Sequence, residues 1–273
     1  MIGIQQRRPD QPTVVFLHGG GISSWMWHRQ LTALPELDAV ALDLPGHGVS
    51  AALPWEGLAG TTTIVADWIR ANATGGRAHV VGLSLGGVMG LDLAARYPEV
   101  VTRLVTSGAL AVGLPGAELV GWMMDATMPL ARIPWLVRLS GRVLGLSAED
   151  QKALLEDIER LPPGLARQAV RDVASFRITP ALIASPVPAL VVAGTREYRG
   201  IRRSVAQLDD VWPQATGRLV PKASHVWNLQ LPDRFNEMLR SWLIEHRAPE
   251  FTVPPDHLRR PTTQSHPIGR QPG

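Results

Sequence analysis

Short apolar runs alternate with longer amphipathic stretches along most of the chain, the pattern of strands that feed helices. The runs Val14–Leu17, Ala39–Leu44, Ala78–Val81, Arg103–Thr106, Pro188–Ala193 and Thr216–Pro221 read as strands. Apolar positions at helical spacing predict helices over Thr61–Ala71, from the glycine-rich turn at 82–86 to Tyr97, and over Pro232–His246. Ala39–Leu44 carries one acid, as expected of a strand covered on both faces. Strands separated by helices pair through crossovers rather than hairpins. The predicted fold class is therefore α/β, a mostly parallel central sheet flanked by helices.

From Leu110 to about Pro186 this rhythm stops. Strand signals vanish, and helical segments punctuated by Pro129, Pro134, Pro162 and Pro163 take over. Ser147-Ala148-Glu149-Asp150 has the form of a capping box opening a helix through Ile158, and a further helix is expected over Leu165–Ser175. Trp122, Met123, Met124, Met128 and Trp135 crowd the start of this region. Thioethers beside aromatics suit a surface around an apolar ligand; the alternative is that they fasten the region to the core. The expected organisation is a core of residues 1–110 and 185–247, a helical insertion at 111–184, and a tail at 248–273. The tail holds six prolines and few large apolar groups, so disorder is expected there.

With 273 residues and 45% hydrophobic content the chain can bury a large single core. The 27 Lys and Arg are nearly balanced by 24 Asp and Glu, leaving a net charge of +3. The arginines are scattered, with only short pairs such as Arg202-Arg203, so no nucleic-acid footprint is predicted. Cysteine is absent, which excludes disulfides, thiolate metal sites and a cysteine nucleophile. Met1–Pro12 lacks the apolar stretch of a signal peptide, and no run approaches the length needed to span a bilayer, so the cytoplasm is the expected location. Oligomeric state is not legible.

The chemistry concentrates at Gly82-Leu83-Ser84-Leu85-Gly86, where an apolar strand gives way to an apolar helix. A serine at such a turn adopts a strained backbone that presents its hydroxyl, and bulk two residues to either side would collide. A serine hydroxyl needs a base, and the base needs an orienting acid. In a parallel sheet these groups gather just past the strand carboxyl ends. His225 lies four residues beyond the Thr216–Pro221 strand and Glu197 four beyond Pro188–Ala193. A competing role for Glu197 is pairing with Arg196, Arg199 or Arg202, and Asp209 and Asp210 read as solvated helix acids. Among the other histidines, His28, His246, His257 and His266 are assigned to the surface, and His79 to a satisfied position at a sheet edge. The Leu85 amide at the helix start is one candidate oxyanion donor, and His18-Gly19-Gly20-Gly21 supplies a second. No Lys-Ser or Lys-Thr pair follows those glycines, which argues against a nucleotide P-loop.

Taken in chain order, these pieces resemble the α/β-hydrolase superfamily over residues 13–247. His18–Gly21 is similar to the family's oxyanion loop, Asp43-Leu44-Pro45-Gly46-His47-Gly48-Val49-Ser50 to its loop before the elbow, and Gly82–Gly86 to the elbow itself. The resemblance implies a triad of Ser84, Glu197 and His225, oxyanion amides from Gly20 and Leu85, and architectural rather than catalytic roles for Asp43 and His47. It further implies that the insertion is a helical cap and that no metal or organic cofactor is required. Two departures stand out: glutamate replaces the commoner aspartate at the acid position, and the short N-terminus leaves room for one flanking strand, such as Ile2–Gln6. The implied activity is hydrolysis of a small to medium apolar carboxylic ester or lactone through an acyl-enzyme. Haloalkane dehalogenases place aspartate at the elbow, so Ser84 disfavours that activity. Carbon–carbon bond hydrolysis, amide hydrolysis, perhydrolysis and ligand binding without turnover remain open alternatives.

Overall fold

The computed structural model describes residues 1–131, 133–143 and 146–255. Seven strands form one sheet: β1 Ile2–Gln6, β2 Thr13–Leu17, β3 Asp38–Leu42, β4 Ala78–Leu83, β5 Val101–Ser107, β6 Ala189–Gly194 and β7 Ala215–Val220, in the spatial order β1-β3-β2-β4-β5-β6-β7. Every pairing is parallel except that of β1 with β3: the single flanking strand anticipated at Ile2–Gln6 forms, and it runs antiparallel to its neighbour. The helices are α1 His28–Ala33, α2 Gly57–Asn72, α3 Leu85–Arg96, α4 Ala117–Ala131, α5 Pro134–Val143, α6 Ala148–Arg160, α7 Leu165–Ser175, α8 Pro180–Ile183, α9 Arg199–Val211, α10 Trp227–Gln230 and α11 Pro232–Leu243.

Strand alternation divides the core into two layers. Val15, Leu17, Val80 and Val191 point to one face, where Val65 and Ile69 of α2, Val88 and Leu91 of α3 and Leu208 of α9 cover them. Val14, Phe16, Val81 and Val192 point to the other, covered by Leu31 of α1 and Phe235, Met238 and Trp242 of α11. Both layers are shut off from water, which is why the strands read as continuous apolar runs.

Helices α4 to α8 lie in the chain between β5 and β6, in the region where strand signals vanish. The capping box forms as anticipated: Asp150 N–H donates to Ser147 Oγ at 3.1 Å, and Ser147 N–H donates to an Asp150 carboxylate oxygen at 3.1 Å. Its helix runs two residues past Ile158, to Arg160.

Three expectations need correction. His79 is not at a sheet edge: β4 lies between β2 and β5, the imidazole is buried, and its Nδ1 has no hydrogen-bond partner. The alternative that the tryptophans and methionines fasten the insertion to the core fails for Trp122, Met123, Met124 and Trp135, which are all exposed. The Met128 side chain lies outside those described. The chain beyond Ala248 does not begin as free tail. Phe251 packs on the second core layer, and Val253 exchanges two backbone hydrogen bonds with Leu219, at 2.7 and 2.9 Å. The cause is β7, the last strand of the sheet, whose outer edge offers peptide groups that Val253 takes up at Leu219. Residues 256–273 of the expected tail lie outside the described residues.

Candidate active site

Loops leaving the carboxyl ends of β2 to β7 meet at one rim of the sheet. Strands β3 and β4 lie on opposite sides of β2, so the chain changes direction there and opens a crevice above β2 and β4. The glycine loop after β2 and the serine turn after β4 meet there, joined by Gly86 N–H donating to His18 O.

Ser84 has φ 56° and ψ −113°, a left-handed conformation that a side chain rarely adopts, at a cost of about 1–3 kcal/mol. Close packing holds it there. A Cβ on Gly82 would collide with the Gly86 carbonyl, and one on Gly86 with the Leu17 carbonyl. Ser84 N–H donates to Ser107 O at 2.8 Å and Gly86 N–H to His18 O at 3.1 Å, tying the turn to β5 and to the glycine loop. Leu85 opens α3, where an amide has no intrahelical partner and the helix dipole favours negative charge.

The glycine loop rests on two neutral histidines. Leu44 N–H donates to His18 Nε2 at 3.0 Å, and His18 Nδ1 faces Gly19 O at 2.8 Å; the ring therefore carries its proton on Nδ1. His47 repeats the arrangement, with Gly21 N–H donating to its Nε2 at 3.2 Å and its Nδ1 3.0 Å from Pro45 O. Burial is the main cause that pushes both imidazoles below their ordinary value, and for His18 the nearby His47 adds to it. Asp43 accepts Ser24 N–H at 2.7 Å and Val49 N–H at 2.8 Å, so both of its oxygens are engaged by backbone. The Gly21 amide is likewise occupied, while Gly20 is exposed. Gly19 lies close over the serine: a Cβ there would be 3.6 Å from Ser84 Cβ.

On the other side of the crevice, His225 Nδ1 lies 2.7 Å from Glu197 Oε2, and Gly194 N–H donates to Glu197 Oε1 at 2.8 Å. Both carboxylate oxygens are thus taken by the imidazole and by the loop's own backbone, rather than by the neighbouring arginines. The Glu197 side chain is 1% exposed and that of His225 41%, an acid sealed beneath a base that reaches solvent. Gly108 joins this pair to the serine turn. It follows Ser107, whose carbonyl holds Ser84, and a Cβ on it would sit 2.8 Å from His225 Cε1 and 3.1 Å from Glu197 Oε2. Asp209 is committed elsewhere, accepting Gly217 N–H at 2.7 Å.

Gly108 and the support that His47 gives Gly21 were not foreseen. A glycine two residues past the predicted Arg103–Thr106 strand was the available signal for Gly108. Nothing in the sequence marked the contact between residues 21 and 47.

A family model described as the alpha/beta hydrolase family matches residues 14–238. A pimeloyl-[acyl-carrier protein] methyl ester esterase of Aeromonas hydrophila is 27% identical over 254 residues, covering 86% of this chain and 94% of that protein. An esterase of Mycobacterium tuberculosis is 40% identical over a shorter stretch of 99 residues, 34% of this chain and 32% of its own length. Among solved structures, MenH from S. aureus superimposes with a TM-score of 0.71 at 20% identity, covering 88% of this chain and 96% of that one.

Proposed function

The chain belongs to the α/β-hydrolase family, and from that membership we propose that it is a serine hydrolase that cleaves a small to medium apolar carboxylic ester or lactone. The observation that carries the reading is the 2.7 Å contact of His225 with a buried Glu197, one glycine away from the backbone that holds the strained Ser84.

In this reading Glu197 binds the Nδ1 proton of His225, which leaves Nε2 free to take the proton from Ser84 Oγ as it attacks the carbonyl carbon. Negative charge on the carbonyl oxygen is met by the amides of Leu85 and Gly20. Gly20 is favoured over Gly21 because the Gly21 amide already donates to His47. The imidazolium returns its proton to the departing alkoxide, and water then repeats the cycle on the acyl-enzyme. Helices α4 to α8 serve as a cap, with Ala169 of α7 lying 3.9 Å from where a Gly20 Cβ would be.

A fluorophosphonate probe tests the assignment. The parent protein should label covalently, while Ser84→Ala and His225→Ala should not. A folded parent protein that fails to label, or Ser84→Ala labelling as well as the parent, overturns it.

A further inference from the structure

Three successive glycines, Gly19 to Gly21, leave the loop after β2 with little conformational preference of its own, so its shape is set by what anchors it. At its start His18 O accepts Gly86 N–H, and further on Gly21 N–H donates to His47. At its exit two successive amides end on two carboxylates: Ser24 N–H donates to Asp43 Oδ1 and Ser23 N–H to Asp157 Oδ2, both at 2.7 Å. Gly86, His47 and Asp43 belong to the core. Of these anchors only Asp157 comes from the insertion, on α6.

Helix α6 is patterned to deliver that carboxylate. Asp150, Leu154, Asp157 and Ile158 recur at helical spacing; the first, third and fourth are buried, and Leu154 packs on the second core layer. Arg29 of α1 reaches Asp150 at 3.0 Å and fixes the start of the helix. Two turns along, the Asp157 oxygen that accepts Ser23 N–H also accepts Trp25 Nε1–H at 2.7 Å. The carboxylate is costly where it stands. It is 6% exposed, its donors are neutral, and the charge of Asp43 repels it. What the charge adds is grip, because hydrogen bonds to an ionised acceptor are shorter and stronger than those to a neutral one. That grip falls on the loop that carries the Gly20 amide, and an oxyanion donor works only when it is held in place before the charge develops.

We propose that Asp157 is a positioning residue: through Ser23 N–H it fixes the exit of the glycine loop, so that helix α6 of the insertion takes part in aiming the Gly20 amide at the reacting carbonyl oxygen. This rests on the serine hydrolase reading and places one requirement of its oxyanion hole in the insertion.

The test is steady-state hydrolysis of 4-nitrophenyl butyrate, with the rate of fluorophosphonate labelling as a second readout. Rates are taken per serine labelled at completion, so that unfolded protein does not count. Asp157→Ala should lower kcat about tenfold or more and slow labelling likewise, with KM changed less than about twofold, because an oxyanion donor acts on the transition state. Asp157→Ser, whose hydroxyl falls short of Ser23 N–H, should lose kcat in the same way and takes its place if Asp157→Ala does not fold. Asp157→Asn keeps an oxygen able to accept both donors and should stay within about threefold of the parent. Arg29→Met separates a lost acceptor from a loosened helix: it releases α6 at Asp150 without touching the glycine loop. It should lower the thermal unfolding midpoint and leave kcat within about twofold of the parent. Asp157→Ala or Asp157→Ser turning over like the parent, Asp157→Asn losing as much as they do, or Arg29→Met losing kcat equally with them overturns the proposal and leaves the nucleophile assignment standing. A parent protein that neither hydrolyses the ester nor labels overturns the serine hydrolase reading, and this inference with it.

Discussion

At the scale of single residues, the site separates side chains that would meet substrate from those that hold them in place. Glu197 belongs to the second kind. Its side chain is sealed from water and spends one oxygen on Gly194 N–H and the other on His225. The additional methylene relative to aspartate is absorbed by the loop, which folds back so that the carboxylate binds the end of its own strand. Glu197→Gln keeps the size but offers an amide to the imidazole, favouring the wrong tautomer. It should lower kcat at least ~10²-fold with the thermal unfolding midpoint little changed. Near-normal turnover would move the orienting role to another acid. His47 makes a subtler case, because its Nε2 accepts Gly21 N–H and so acts through the glycine loop. His47→Phe removes the acceptor for Gly21 N–H and should lower kcat about tenfold or more with KM nearly unchanged, since an oxyanion donor acts on the transition state. His47→Gln restores an acceptor and should recover much of the loss. Equal rates for the two variants would show that the ring's bulk matters and its nitrogen does not.

At the scale of elements, the turn between β4 and α3 is specified twice, by local glycine chemistry and by packing onto β2 and β5. The first is why the serine is legible in the sequence; the second is why its strain persists. The other end of β4 behaves differently. His79 pairs with Val14 on one side and Arg103 on the other, and burial, reinforced by Arg103, lowers its pKa to about 4. An unfolded imidazole near its ordinary value binds a proton that the native one refuses. His79 therefore costs nothing above about pH 6.5 and drains stability as pH falls from there toward 4, by up to roughly 3 kcal/mol. Urea unfolding at pH 7 and pH 4.5 should show a smaller acid loss for His79→Gln than for the parent. The same loss in both proteins would place the acid sensitivity elsewhere, with buried His18 the next group to test.

At the scale of the whole molecule, the insertion and the sheet rim are bound by polar contacts at a few points. Asp157 of α6 accepts Ser23 N–H and Trp25 Nε1–H, both at 2.7 Å, Asp172 of α7 accepts Trp55 Nε1–H at 2.6 Å, and Arg29 of α1 reaches Asp150 at 3.0 Å. Burial raises the Asp157 pKa even against these donors, which marks how dry this seam is. These contacts set α6 and α7 against the glycine loop and leave the outer side of α4 and α5 uncovered. None of the partners is close in the chain, and the sequence carries no sign that indoles would meet carboxylates here.

Periodicity and punctuation alone determined the strand order along the chain, the helices between several of those strands, the glycine-flanked serine turn, the capping box, and the loops that would have to bring Glu197 and His225 to it. Each is a local property: apolar spacing, a backbone that tolerates left-handed φ, or a short distance past a strand end. Tertiary structure decided what depends on which strands lie side by side. It put His79 at the middle of the sheet, bound Val253 to the open edge of β7, gave Gly21 to His47 and left large apolar side chains of α4 exposed. Those outcomes follow from packing between segments far apart in the chain, and packing of that kind leaves no trace in a local pattern.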